Sequence, residues 1–413
     1  MRAKPHWLLA LLGLASLAGC GGTTFEEHIR ACATPSGALS SEDAELPQLV
    51  RAVEQQRGLP LQLASGGAIP SESNAAVALA AIYSPALHLH LTPKLVPLIA
   101  HGAPAEKRDE FLKQNQELVQ QTAAALDRPR CVFDIEYGLG FFASMRYLDD
   151  AALASRLVLL RARRSATNKK DAESLVDVLR SLRLCHALAN ERRVEARALA
   201  ASLRHEAFDV VRDCFEVGLW RRPEAEQLYA LLREELDDWP DDGRMLMGER
   251  ATVLHAYEAI RAGMLRRLMT LQEYRELKSK SIAELENATP AEIDADEARY
   301  LQTMQRLIDA TALSHEDRAT EVDAAFDDLQ QVRPLFAARL FMWDLSSAME
   351  TAAQDKTTVL AWTLALAASA ELLPPPFSES PLTGKSLEVE QNSQRVEIYD
   401  GREVLVALPL LLR

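Results

Sequence analysis

Asp134 and Glu136, one residue apart and followed by Tyr137 and Gly138, are the carboxylates in this chain best suited to acid–base chemistry. In an extended segment they would share one face, where unequal surroundings could hold their pKa values apart. His88, His90 and His101 supply three imidazoles that could bind zinc or copper. No cysteine or carboxylate lies nearby at ligand spacing, and Pro85, Pro93 and Pro97 predict an ordinary loop there. His205-Glu206 and His315-Glu316 begin the helical metalloprotease pattern, but its fifth position holds Asp209 in one case and Ala319 in the other. Gly384-Lys385-Ser386 copies the end of a phosphate loop. Its upstream glycine is replaced by Glu379, and a strand is expected where a helix should present its N-terminus. No Gly-x-Ser-x-Gly elbow occurs. None of these motifs calls for a cofactor or a metal.

Five cysteines are present: Cys20, Cys32, Cys131, Cys185 and Cys214. Cys185 and Cys214 fall on apolar helical stripes, where a thiol packs as a small hydrophobe and stays unpaired. Cys32 and Cys131 fall in irregular segments that leave pairing open. Two charge clusters stand out. Arg161, Arg163, Arg164, Lys169 and Lys170 straddle a helix end, where they would complement its dipole or meet an acidic partner or lipid headgroup. The run from Asp237 to Asp242 around Trp239-Pro240 reads as a solvated turn, without the alternating ligands of a calcium loop.

The elements that would carry these groups follow from composition and period. The chain has 413 residues, with 48% hydrophobic and 26% charged, the balance of a globular protein. Leu175, Val178, Leu179, Leu182, Cys185 and Ala189 form one helical stripe, with Asp171, Asp177, Arg180 and Arg183 off it, and Leu199, Leu203, Ala207, Val210, Cys214 and Val217 form another. Gly218 suits a left-handed stop, Pro223 a first helical turn, Thr289-Pro290-Ala291-Glu292 a capping box, and Ser314 with Asp317 a weaker cap. Gly58 to Pro70 predicts a loop with an extended Leu59–Leu63, and residues 128–140 predict a second break. After Pro374-Pro375-Pro376 the pattern alternates: Leu387 and Val389, Val396 and Ile398, then Val404, Val406 and Leu408, with turns at Asn392-Ser393 and Asp400-Gly401. The fold class expected is mainly α, an irregular multi-helix array without a strict repeat, ending in a small antiparallel β-meander. The domain reading is a leader over 1–19, a tether over 20–46, a helical body over 47–373 and the meander over 374–413.

The leader carries the clearest resemblance. Arg2 and Lys4 precede an apolar run from Trp7 to Leu17, too short to span a bilayer, and Leu17-Ala18-Gly19-Cys20 resembles the bacterial lipobox. That resemblance implies cleavage before Cys20, lipidation of its sulfur and a membrane partner reached through the lipid. With Gly21 rather than Asp after the cysteine, it implies the outer membrane where two membranes exist. A second resemblance rests on Arg128-Pro129-Arg130-Cys131-Val132-Phe133-Asp134, the Leu/Arg-rich helices over 145–217 and the turn from Pro381 to Leu387. These are similar to uncharacterised helical envelope proteins of planctomycete-type bacteria, across residues 74–390. The chain departs from that pattern in lacking an Asp before Pro376-Phe377. This likeness implies a fold and a compartment, and no catalytic residue.

The formal charge is −14, from 60 acidic and 46 basic residues. Such a balance argues against nucleic acid and against lying flat on anionic lipid. The expected function is a lipid-anchored, non-enzymatic extracytoplasmic scaffold that binds an envelope protein. The alternative is a hydrolase or ligand-binding enzyme with a carboxylate pocket near Asp134 and Glu136.

Overall fold

The computed structural model describes residues 24–36, 45–63, 69–100, 102–269, 279–331, 335–342 and 345–411. Cys20, the whole leader, Gly66, Gly67 and His101 lie outside the described residues.

The expected architecture is present: helices throughout, then a three-stranded antiparallel sheet at the C-terminus. The first helices are α1 (Phe25–Ala31), α2 (Glu45–Gln55), α3 (Ala75–Ile82), α4 (Pro85–Ile99), α5 (Ala105–Gln114) and α6 (Gln116–Leu126). Next come α7 (Arg146–Thr167), α8 (Asp171–Ala189), α9 (Val194–Glu216), α10 (Arg222–Asp237) and α11 (Asp242–Arg261). The last are α12 (Ser279–Glu286), α13 (Pro290–Ala310), α14 (His315–Gln330) and α15 (Leu345–Ser369). Several starts were marked in the sequence. Thr289 and Glu292 close a capping box on α13, Ser314 accepts from the Asp317 amide, and a proline opens α10. Gly218 ends the α9 turn at φ +67°, a left-handed angle that costs glycine little.

Two apolar cores result. The larger joins α3 to α10 with α15 and the sheet; the smaller joins α2, α12, α13 and α14. Helix α11 lies between them, giving Ala251 to the first and Leu246, Val253, Leu254 and Tyr257 to the second. Helix α15 is apolar around most of its circumference from Val359 to Ala367, as a helix covered on several sides must be. The sheet covers one of those sides. Strands β1 (Glu388–Gln391), β2 (Arg395–Asp400) and β3 (Glu403–Pro409) run in the order β1-β2-β3. Their alternation buries Val396, Ile398, Val406 and Leu408, and Ser369 at the end of α15 donates to the Pro409 carbonyl at 2.5 Å.

Several local expectations are corrected. Residues 85–99 form a helix despite Pro93 and Pro97: Ser84 caps it, Pro85 sits in its first turn, and the other two prolines stand on its exposed face. Pro60–Gln62 is a 3₁₀ turn rather than an extended stretch. Val217 is 72% exposed and leaves its stripe, whereas Asp177, placed on the solvent side by period, is 1% exposed. Residues 24–36, inside the stretch read as a tether, are docked on the body. His255 contacts the Ile29 carbonyl at 2.8 Å, Arg30 pairs with Glu136 at 2.9 Å, and Ser36 donates to Glu258.

Candidate functional site

Asp134 and Glu136 do share one face. Residues 131–136 run without regular structure, and Phe133, Ile135 and Tyr137 point inward while the two carboxylates point out to solvent. Glu136 pairs with Arg30 across an exposed surface, and neither carboxylate lines the large cleft described next.

The inward side of the same segment leads to a different site. Cys131, Val132 and Tyr137 border an open cleft of about 1120 Å³, walled by the ends of α2 and α6, the segment 128–132, α8, α10 and the start of α11. Its size follows from two breaks in the helical array. Residues 127–145 let the chain turn back between the two cores, and Asn74 fixes that segment by donating to the Val132 carbonyl at 2.8 Å. The Asn74 side chain also accepts from the Val132 amide at 3.0 Å. Gly248 lets α11 approach the turn after α8, where a Cβ would collide with the Arg192 carbonyl. That contact sets the position of Arg192 on the cleft wall.

Cations dominate the lining. Arg57, Arg128, Arg130, Arg180, Arg183, Arg192 and Arg244 all border the cleft. Arg180 is bound to Asp127 at 2.5 Å and Asp177 at 2.7 Å, and Arg128 donates to the carbonyls of Ser71 and Asn74. Among the described residues, Arg57, Arg130, Arg183, Arg192 and Arg244 have no carboxylate within ion-pair distance.

Two of the four carboxyl groups that line the cleft, Glu191 and Glu235, are pushed toward the neutral form by burial. Burial pushes Glu191 up to about 7, although it accepts from the Phe133 amide and from the Tyr137 hydroxyl at 3.4 Å. Burial pushes Glu235 up to about 8, with Arg204 opposing the shift. Glu235 is 3% exposed, and neither of its carboxyl oxygens has a hydrogen-bond partner. Its contact with the Arg204 Nε, at 3.7 Å, is too long to be one. Arg204 instead binds Asp355 directly and lies over the Trp239 ring at 5.1 Å. Burial lowers the pKa of His186, whose Nε2 lies 3.4 Å from Asp238.

The other candidates found in the sequence are accounted for elsewhere. His88 and His90 point apart on α4, His88 to Asp150 at 2.6 Å and His90 to Lys94 at 3.0 Å. Arg161 pairs with Asp177, Arg163 with Asp213, Arg164 with Asp109 and Lys170 with Glu173. Four of the five cations of that cluster are thus paired within the molecule, and Lys169 is exposed. Asp242 in the acidic turn pairs with Arg197 at 2.5 Å, and Asp241 caps α11. His315 reaches the Pro381 carbonyl, and the Gly384 turn closes against the His315 ring at φ +67°. Cys32, Cys131, Cys185 and Cys214 are all free thiols, and burial raises Cys131 to about 12 and Cys214 to about 11. Such thiols are protonated at neutral pH and poor nucleophiles.

The cleft itself escaped sequence reading because its arginines are spread from position 57 to 244 and fit no motif. A faint signal was the density of arginine at 128–130, 180–183 and 192. No known family model, curated protein or solved structure matches the chain.

Proposed function

We propose that the chain is a lipid-anchored extracytoplasmic binding protein whose helical body captures an anionic ligand, such as an acidic segment of an envelope partner, in the arginine-walled cleft. One observation carries this reading: five cleft arginines lack a carboxylate partner in a chain whose net charge is −14. With acid in such excess, guanidinium groups left unpaired around one concavity mark a place kept for an outside anion. The raised pKa values of Glu191 and Glu235 support the same reading, since burial weakens two negative charges that would repel that anion. Anchoring rests on the lipobox-like segment ending at Cys20.

Two measurements test the two halves. Cys20→Ser should release the chain from the membrane fraction. A fluorescent polyglutamate probe should bind the full chain and lose affinity as salt rises. Retention on the membrane without Cys20, or no binding of the probe at low salt, would remove the corresponding half.

A further inference from the structure

We infer that the ligand is zwitterionic, a peptide segment whose carboxylates meet Arg130, Arg183 and Arg192 while a free ammonium meets Glu234 of α10 and Asp238 just after it. This deepens the anion-binding reading and rests on it.

The charges of the cleft are sorted by element. Helix α10 and the turn after it supply Glu234, Glu235 and Asp238 and no cation to the lining, whereas the segment 128–130, α8 and the turn after α8 supply arginines with one acid among them, Glu191, whose pKa burial raises to about 7. The Asp238 side chain is 87% exposed, and His186, whose pKa burial lowers, lies 3.4 Å from it. A polyanion such as a nucleic acid would gain on the arginine side and be repelled along α10. A ligand bearing both charges satisfies both sides. Leu184, Ala187 and Leu231 lie among these groups and give the apolar contact that a peptide backbone with short side chains needs. The volume exceeds the range of about 300–1,000 Å³ typical of small-molecule pockets, as a length of chain requires.

Glu235 supplies a second, independent indication. It borders the cleft, almost fully buried, with both oxygens lacking hydrogen bonds. The charged groups that act on it are Arg204 of α9, Asp355 of α15, Arg183 of α8 and Glu234 of its own helix. Of its two cations, Arg204 is already bound to Asp355, and Arg183 belongs to the side expected to take ligand carboxylates. A ligand ammonium brought to α10 restores positive charge beside Glu235 and favours its ionisation, whereas ligand carboxylates at Arg183 and Arg192 favour the protonated forms of Glu235 and Glu191. The ammonium is therefore read from the difference between a peptide that carries it and one that does not.

The test is calorimetry of the full chain with triglutamate and with its N-acetylated twin, at pH 7 in two buffers of different ionisation enthalpy. Triglutamate should bind at least about tenfold more tightly than the acetylated form, a gap typical of one charge-assisted contact. Relative to the acetylated form, its binding should release more protons, read from the buffer dependence of the two heats. Glu234→Gln with Asp238→Asn, both at exposed sites, should erase that preference, with the acetylated peptide binding no more weakly than before. Equal affinity of the two peptides overturns the zwitterion while leaving an anion-binding cleft in place. Failure of both to bind at low salt overturns both readings.

Discussion

Two sets of arginines divide this molecule. In the helical body, Arg204 lies at 0% exposure bound to Asp355, Arg261 contacts Asp294 and Glu297, and Arg197 holds Asp242 and the Pro240 carbonyl. Around the cleft, Arg130, Arg183, Arg192 and Arg244 hold no carboxylate of the described chain. The first set is part of the fold, because a buried guanidinium must be paired where it stands. The second set contributes little to the fold, because water already solvates it. Arginine content alone therefore says nothing about a site; what matters is which guanidinium groups the fold leaves unpaired.

Substitutions separate the two sets, and the largest effect is expected inside the body. Asp355→Ala removes the carboxylate that Arg204 binds directly and leaves it only Glu235 at 3.7 Å, and loss of a buried partner costs about 3–5 kcal/mol. Denaturant unfolding should show that loss with the cooperativity kept. A loss under about 1 kcal/mol would mean that water reaches Arg204 and that the division is false. Gly248→Ala drives a methyl into the Arg192 carbonyl and should cost about 1–3 kcal/mol, as overpacking does. It should also weaken probe binding by displacing Arg192, so this variant joins the two regions.

The pH dependence sharpens the contrast. Between about 4.5 and about 8 the unfolded chain ionises Glu235 while the folded chain keeps it neutral. The folded state then binds the extra proton, so this group's contribution is full below the lower value and is lost as pH rises through the upper one. Glu235→Gln should remove a decline of at most about 1.4 kcal/mol per pH unit, seen as a flatter melting temperature against pH. An unchanged slope would show that Glu235 is ionised in the folded protein. The smallest effect belongs to the surface. Glu136→Ala breaks an exposed pair with Arg30 and should change stability by about 0–1 kcal/mol without altering probe binding. A drop in binding would return the site to the outward face of 131–137.

How much of this could be read from the amino-acid order differs between fold and site, for a physical reason. Period exposes a stripe, so Leu175, Leu182 and Cys185 were recognisable as core, and alternation did the same for Val396, Ile398, Val406 and Leu408. Caps are local as well, which is why Thr289 and Ser314 were visible as helix starts. The spacing of Asp134 and Glu136 correctly implied a shared face, but spacing does not say which face meets solvent. Asp177 was misplaced because its partners, Arg161 and Arg180, are set by packing of α7 on α8 rather than by helix period. The cleft is the extreme case, since an unpaired arginine is defined by what distant segments fail to bring near it.

The most direct measurement compares two double variants of equal charge change in the polyglutamate binding assay. Arg183→Ala with Arg192→Ala removes two unpaired cleft arginines. Arg306→Ala with Arg395→Ala removes two arginines that pair with Glu321, Asp328 and Glu397 on the surface. The expected result is a loss of at least about tenfold for the cleft variant, given about 1.5–3 kcal/mol per hydrogen bond to a charged group, and little change for the other. Equal losses in the two would show that the probe senses only the overall field of the protein, and the cleft would have no claim to be its site.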